Sequence, residues 1–310
     1  MHTLNDKLKG FALLPALVLI VLLLAVSSRA SAQSAAINWG PWRLNATIQS
    51  NGLALTNVYF NNRQVIYKAN MPVIRVLYVE PPAENVAYAD ILGPSLLYPV
   101  PFCNNQMICQ RSFTRNGVAW LELGVYAQIG GYQIYQAWYL SATGAIQPQL
   151  FSRGLHHNAD HYHHIYWRFD MDIGDAGSDQ VFVYDNNRPN IGWGPGWSQY
   201  PNEFEDRRSP ATARNWFVRD GNSGNGMWIV PGSGDGFADN FSTIDAAGRI
   251  YHYGEDTWPF GARGEIGWNQ GENLRQKDVV FWYVAHLFHR DEEGVSVWHS
   301  GGPTLWAHPR

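Results

Sequence analysis

The pattern that most constrains this chain is alternation with a period of two. From residue 33 onward, short apolar or alternating runs are separated by clusters of Gly, Asn, Asp and Pro, and helical periodicity is almost absent. Strands are expected at Val73–Glu80, Val118–Gln128, Tyr132–Leu140, His161–Ile173, Asn215–Val218, Met227–Val230 and Val279–Phe288. Side chains that alternate faces bury their apolar set by packing sheet on sheet, so the predicted fold class is all-β, a large antiparallel β-sandwich. The polar, Gly/Pro-rich stretch Gly174–Thr212 reads as a set of functional or interface loops. No internal repeat and no linker-like composition divides the remainder, which predicts one domain over residues 33–310.

The first 32 residues have a different character. Lys7 and Lys9 precede an apolar run from Phe11 to Val26, followed by Ala30-Ser31-Ala32, the three-part pattern of a secretory signal. The run of 16 residues is short for a spanning helix, which needs about 20, so cleavage before Gln33 and export are expected, with no membrane contact afterwards. Without this segment 19 basic and 25 acidic residues remain, a net charge near −6, and no Lys/Arg run survives, which argues against a nucleic-acid partner. Only 15% of residues are charged while 14 are Trp, which excludes a disordered or coiled-coil chain. The two cysteines, Cys103 and Cys109, predict a local disulfide in an oxidising compartment.

Five of the 11 histidines lie between His156 and His164. On a strand from His161 to Ile173, His161 and His163 share a face with Ile165, Trp167, Phe169, Met171 and Ile173, and therefore point inward. Each must be hydrogen-bonded or metal-bound, because a buried unsatisfied polar group costs about 1–3 kcal/mol. A pair of satisfied core histidines is one reading. Chelation of one ion by the H-x-H pair is the other, and it is favoured by two inward imidazoles beside a further His.

A third ligand is available from the late strand Asp278-Val-Val-Phe-Trp282-Tyr-Val-Ala-His286-Leu-Phe-His289. His163 precedes Asp170 by seven residues and His289 follows Asp278 by 11, both odd, so in each strand histidine and carboxylate point to opposite faces. If the strands are neighbours, one face gathers His161, His163 and His289 and the other gathers Asp170, Asp172 and Asp278. Three imidazoles suit Cu(II) or Zn(II); clustered carboxylates suit calcium or form a solvated face.

Together these residues resemble the catalytic domain of the copper amine oxidases. His161-Tyr-His163-His-Ile-Tyr-Trp-Arg-Phe-Asp170-Met-Asp172-Ile is similar to the family's H-x-H strand running into a D-L-D-I segment, and Asp278-Val-Val-Phe-Trp282 to its D-V-V-x-W strand, which ends at the third copper histidine. Val125 to Trp138 resembles the strand holding the quinone-forming tyrosine, which maps to Tyr132, and Arg75 to Asp90 resembles the entry to the domain, with Tyr88 at the active-site tyrosine position. Asn215-Trp216, Gly226 to Gly232 and Tyr253-Gly254-Glu255 are also in family style.

The resemblance implies copper held by His161, His163 and His289, a topaquinone formed from Tyr132, and a calcium ion at Asp170, Asp172 and Asp278 with the Met171 and Val279 carbonyls. The implied reaction oxidises a primary amine with dioxygen to an aldehyde, ammonia and hydrogen peroxide. Members of the family dimerise through long arms, so a homodimer is an expectation on the same basis. The chain departs from the pattern where Gly131 and Gln133 replace the residues that flank the family's tyrosine, and where Ser95 to Asn105 carries no carboxylate in place of the F-D-x-G-E-Y-G segment. Asp90 and Asp160 are the nearest candidates for the proton-abstracting base. A copper-binding β-sandwich without turnover, serving as a metal- or partner-binding module, is the alternative, and a zinc hydrolase a third.

Overall fold

The computed structural model describes residues 33–79, 85–155, 159–188, 194–264 and 270–308. The expected signal segment, and His156 and His157, lie outside them. Among the described residues twenty strands follow one another, the first ten being β1 (Ser34–Trp39), β2 (Trp42–Gln49), β3 (Gly52–Phe60), β4 (Arg63–Tyr78), β5 (Val86–Asp90), β6 (Leu97–Tyr98), β7 (Cys109–Arg115), β8 (Val118–Ile129), β9 (Tyr132–Ser141) and β10 (Ala145–Arg153). The second half holds β11 (His161–Asp170), β12 (Asp179–Tyr184), β13 (Trp197–Tyr200), β14 (Phe204–Asp206), β15 (Asn215–Asp220), β16 (Gly226–Val230), β17 (Ala246–Ile250), β18 (Val279–His289), β19 (His299–Gly301) and β20 (Thr304–His308).

They form two large antiparallel sheets, as the alternation predicted. One runs β1-β2-β3-β4-β11-β18-β17-β14 with β5 on β4; the other runs β13-β12-β15-β16-β20-β10-β9-β8-β6 with β7 on β8 and β19 on β10. Every expected strand is present, most of them longer than the pattern indicated, but the histidine strand stops at Asp170, so Met171, Asp172 and Ile173 lie beyond it. The stretch Gly174–Thr212 is corrected: it contains β12, β13 and β14. Its short strands alternate polar and apolar residues between turns, and only pairing with β15 and β17 declares them. Tight hairpins recur where two successive residues accept positive φ, as Asn61-Asn62 does between β3 and β4 and Asn116-Gly117 between β7 and β8.

The principal core lies between the sheets, with Ile165, Trp167, Phe169, Phe281 and Tyr283 from one facing Leu123, Ile134, Trp138, Leu150 and Ile229 from the other. Trp138 meets Trp167 edge-on at 5.2 Å. The opposite face of β11 and β18 is also buried: Tyr166, Val280, Trp282 and Val284 pack with Ile244 and Trp258 in a second cluster. The buried Arg75 helps hold this cover, donating to the Tyr166 hydroxyl at 2.7 Å and to the Phe241 carbonyl at 3.2 Å. β11 and β18 are thus central strands covered on both sides, which is why their sequences are nearly continuous in apolar and aromatic residues. A third cluster lies under the Cys103–Cys109 disulfide, against Val100, Tyr135 and Ala137.

One polar clamp joins the sheets. The Gln136 amide, fully buried, accepts from the Leu53 N–H and donates to the Leu53 carbonyl, both at 2.9 Å, so a side chain of one sheet completes the backbone of the other. The chain enters β3 at Gly52 with φ +97°, and a Cβ there would stand 2.4 Å from the Gln136 amide oxygen. Gln136→Leu keeps the volume and strands the Leu53 N–H. It should cost about 1–3 kcal/mol in denaturant unfolding, with the slope of the transition unchanged.

Candidate metal centre

β11 and β18 pair antiparallel with His161 directly opposite His289. That register places His161, His163 and His289 on the core face at one end of the strand pair, with ring centroids 5.2, 5.3 and 4.5 Å apart and all three rings buried. The other sheet supplies Tyr132 from the start of β9, its ring 4.7 Å from that of His163.

The hydrogen bonds around these rings have a consistent direction. His161 Nδ1–H donates to the Ala159 carbonyl at 2.7 Å, which leaves Nε2 as an acceptor for the Tyr132 hydroxyl at 2.9 Å. The Tyr132 oxygen in turn receives the Tyr78 hydroxyl at 2.9 Å. His163 Nδ1 is tied to Ser152 Oγ at 3.2 Å, and His289 Nδ1 to Glu293 Oε1 at 2.8 Å. The Nε2 atoms of His163 and His289 are buried with no hydrogen-bond partner. Each imidazole is therefore anchored by Nδ1, and the buried Nε2 lone pairs of His163 and His289 are unsatisfied at a cost of about 1–3 kcal/mol each. A soft divalent ion would relieve both, so the donor set fits copper or zinc.

Burial and the neighbouring imidazoles hold His163 well below the usual histidine range, and burial lowers His289 to about 4 against the raising effect of Glu293. Neutral imidazoles are the form that binds a metal. The Tyr78 hydroxyl is pushed far up by burial and by its bond to Tyr132, and stays protonated.

Among the described residues, the histidine-containing set whose donor atoms all lie within 4.8 Å of one another is His289, Glu293 and His299, and not the three inward imidazoles. There both ring nitrogens are already engaged by the carboxylate, at 2.8 Å each. The unpartnered nitrogens are His163 Nε2 and His289 Nε2, on the inward-facing rings.

The remaining sequence candidates are placed as follows. Tyr88 packs edge-on against Tyr78 at 5.8 Å, one ring further from Tyr132. Gln133 accepts from Arg153 Nε at 2.7 Å. Asp160 accepts the Asp291 backbone N–H at 3.0 Å and pins a loop. His164 and His286, on the other face, face each other across the register and bond Nδ1 to Nδ1 at 2.7 Å, with His286 Nε2 2.9 Å from Asp245. Tyr78, Ser152, Glu293 and His299 were not singled out from the sequence. Only Glu293, four residues after His289 in a charged turn, carried any local signal. A groove of about 870 Å³ lined by Arg111, Glu122, Tyr139 and Asp235 lies over the outer face of the second sheet, and none of the three inward imidazoles lines it.

At the far end of β11 and β18, Asp170, Asp172 and Asp278 place carboxylate oxygens within 4.8 Å of one another. One oxygen each of Asp172 and Asp278 is buried and unpartnered, as are both of Asp179, a fourth carboxylate that the sequence reading missed. Arg168 stands 3.4 Å from Asp170 and offsets one of these charges. Burial, then mutual repulsion, raises Asp172 to about 6 and Asp278 to about 7, and holds Asp179 well above the carboxylate range. The Val279 carbonyl accepts the Met171 N–H at 3.0 Å and keeps a second lone pair.

No model of a protein family matches the chain, and no curated protein is similar to it in sequence. Solved structures do share its fold. A copper-containing benzylamine oxidase from Hansenula polymorpha matches with a TM-score of 0.71 and 15% identity, over 88% of this chain and 59% of the other. The Aspergillus nidulans amine oxidase gives 0.73 and 13%, over 98% and 55%, and the Pichia pastoris lysyl oxidase 0.69 and 12%, over 91% and 55%. The chain therefore has the fold of the amine oxidases and spans less than two thirds of the length of these relatives.

The acid cluster gives a pH dependence of definite sign. Asp172 and Asp278 keep protons in the native state at pH values where the unfolded chain has released them. Their contribution to the stability of the metal-free protein should therefore be greatest near pH 4 and be lost as pH rises through about 7, opposed below about pH 6.5 by His163 and His289, which the native state keeps neutral. Asp278→Asn should flatten the loss and raise metal-free stability at pH 8, by on the order of 1 kcal/mol after allowance for solvent screening of a half-exposed group. Thermal unfolding in chelator across this range measures both.

Proposed function

We propose that this protein, acting after export, binds copper through His161, His163 and His289 and oxidises primary amines with dioxygen, using a quinone formed from Tyr132. The observation that carries this reading is the Tyr132 hydroxyl seated on His161 Nε2 among three inward-facing imidazoles, in a fold shared with amine oxidases. The Cys103–Cys109 disulfide supports an oxidising compartment.

A tyrosine-derived quinone supplies an electron sink for the two electrons of the amine, chemistry that no ordinary side chain provides. The chain's own residues do the positioning. Tyr78 donates to the Tyr132 oxygen and fixes that end of the ring, while Tyr88 backs Tyr78. Without metal, His161 Nε2 accepts the phenolic proton of Tyr132, a bond that would give way when that nitrogen takes copper. A base is needed for the α-proton of the amine, within hydrogen-bond reach. Asp160 is spent on its loop, and Asp90, whose charge is felt at Tyr78, is the better candidate. The second reading, a copper-binding module without turnover, is favoured by that engagement of Asp160.

Aerobic loading with copper separates the two. The oxidase reading expects one copper per chain, a visible quinone band and its shift by phenylhydrazine, with complete loss in Tyr132→Phe at unchanged copper content. Stoichiometric copper without the band leaves the binding module.

We also propose calcium at Asp170, Asp172 and Asp278 with the Met171 and Val279 carbonyls, supported by the unpartnered carboxylate oxygens and their mutual repulsion. Chelation should then lower the melting temperature by several degrees, with recovery on adding calcium and not copper. A melting temperature indifferent to calcium removes this site.

A further inference from the structure

Asp179 is a carboxyl group that its surroundings bury without satisfying. It opens β12 and shares a face with Val181 and Val183, which pack into the core between the sheets, so its side chain also points inward. The residue is fully buried, and neither carboxylate oxygen has a hydrogen-bond partner. After burial itself, the charge that acts on it most is that of Asp172; the nearby Ile173 N–H offsets part of this, and Asp278 adds to it. A carboxylate so placed repels the acid cluster it faces unless a cation stands between them.

The backbone fixes the placement. β12 belongs to the second sheet and β18 to the first, yet Asp179 pairs with Lys277, the residue before Asp278. Its N–H donates to the Lys277 carbonyl at 3.2 Å and its carbonyl accepts the Lys277 N–H at 3.4 Å. The second sheet thus touches the first at the acid end of the core, and Asp179 is the carboxylate it brings there.

Asp179 is not one of the donors that lie within 4.8 Å of one another, which are Asp170, Asp172 and Asp278. It is therefore placed to act on the ion through something between them. Calcium takes about six to eight oxygen ligands. The carboxylates and carbonyls assigned above, each giving one oxygen, fall short of that, and water completes the shell. A water polarised by the ion is a strong donor that needs a buried acceptor, and the bare oxygens of Asp179 supply one.

We propose that Asp179 is a positioning residue for the calcium site: it accepts from a water on the ion, so that one ion ties the acid end of β11 and β18 to β12 of the opposite sheet. The proposal rests on the calcium reading above. Loss of such an outer partner weakens metal binding by about 10–100-fold.

Calorimetric titration of the chelator-treated protein with calcium, and hydrogen exchange with and without the ion, test it. The parent should bind one calcium, with binding lost in Asp278→Asn, and amide exchange in β12 should slow when the ion binds. Asp179→Asn, which keeps the shape and removes the charge, should bind calcium about 10–100-fold more weakly and lose the slowing in β12 while β11 and β18 keep theirs. Europium luminescence lifetimes in light and heavy water count the waters on an ion in the same site, and that count should be equal in the parent and in Asp179→Ala. A count higher by one in Asp179→Ala makes Asp179 a direct ligand and overturns the water-mediated role. Equal calcium affinity in the parent and Asp179→Asn also overturns it, and leaves the calcium reading standing. So does a metal-free melting temperature lowered in Asp179→Asn with the same gain from calcium as in the parent, which marks a core acid without a part in binding. A parent that binds neither calcium nor europium removes the calcium reading, and this proposal with it.

Discussion

The antiparallel register between β11 and β18 is the constraint from which the rest of the site follows. With His161 opposite His289, the odd positions of both strands face the same core, and the metal-type and acid clusters fall at the two ends of one ribbon. A slip of one residue would send every inward histidine to the opposite face and every core aromatic with it. The slip is resisted from both sides, because Trp167, Phe281 and Tyr283 are locked into the inter-sheet core while Tyr166, Trp282 and Val284 are locked into the outer one. The same packing that stabilises the sandwich thus sets the geometry of its polar groups.

The two ends of the ribbon are under opposite electrostatic stress. At one end burial strips imidazoles of their protons and leaves lone pairs unsatisfied. At the other, burial and repulsion keep carboxyls protonated beyond their ordinary range, with Arg168 as partial compensation. Groups in such states are expensive for a fold to carry, and a cation matched to each donor set would relieve the stress at both ends. Soft nitrogen donors and hard oxygen donors are kept apart by the length of the strands, about 30 Å for ten residues.

Much of this was legible in the chain. Alternation declared the long strands, the parity of His163 to Asp170 and of Asp278 to His289 separated the two clusters, and the spacing of motifs pointed to the amine oxidase fold, which the solved structures share. Short, mixed strands such as β12 to β14 were read as loops, because a strand of three to six residues takes its identity from its neighbours. The outer face of β11 was also more enclosed than parity suggested. Its cover, from the segment around Ile244 and Trp258, is distant in sequence and carries no periodic signature of its own.

The sequence by itself determined which residues could be ligands and on which face of a strand each would stand, since the two-residue repeat of an extended chain is a local property. Only the tertiary structure decided what stands behind those ligands. Ser152, Tyr78, Glu293 and His299 reach the site from β10, β4, the turn after β18 and β19, and their spacing along the chain has no relation to the histidines they support. Hydrogen-bond direction, burial and the choice of which ring nitrogen stays bare depend on those distant groups, so they exist only once the two sheets have closed on each other.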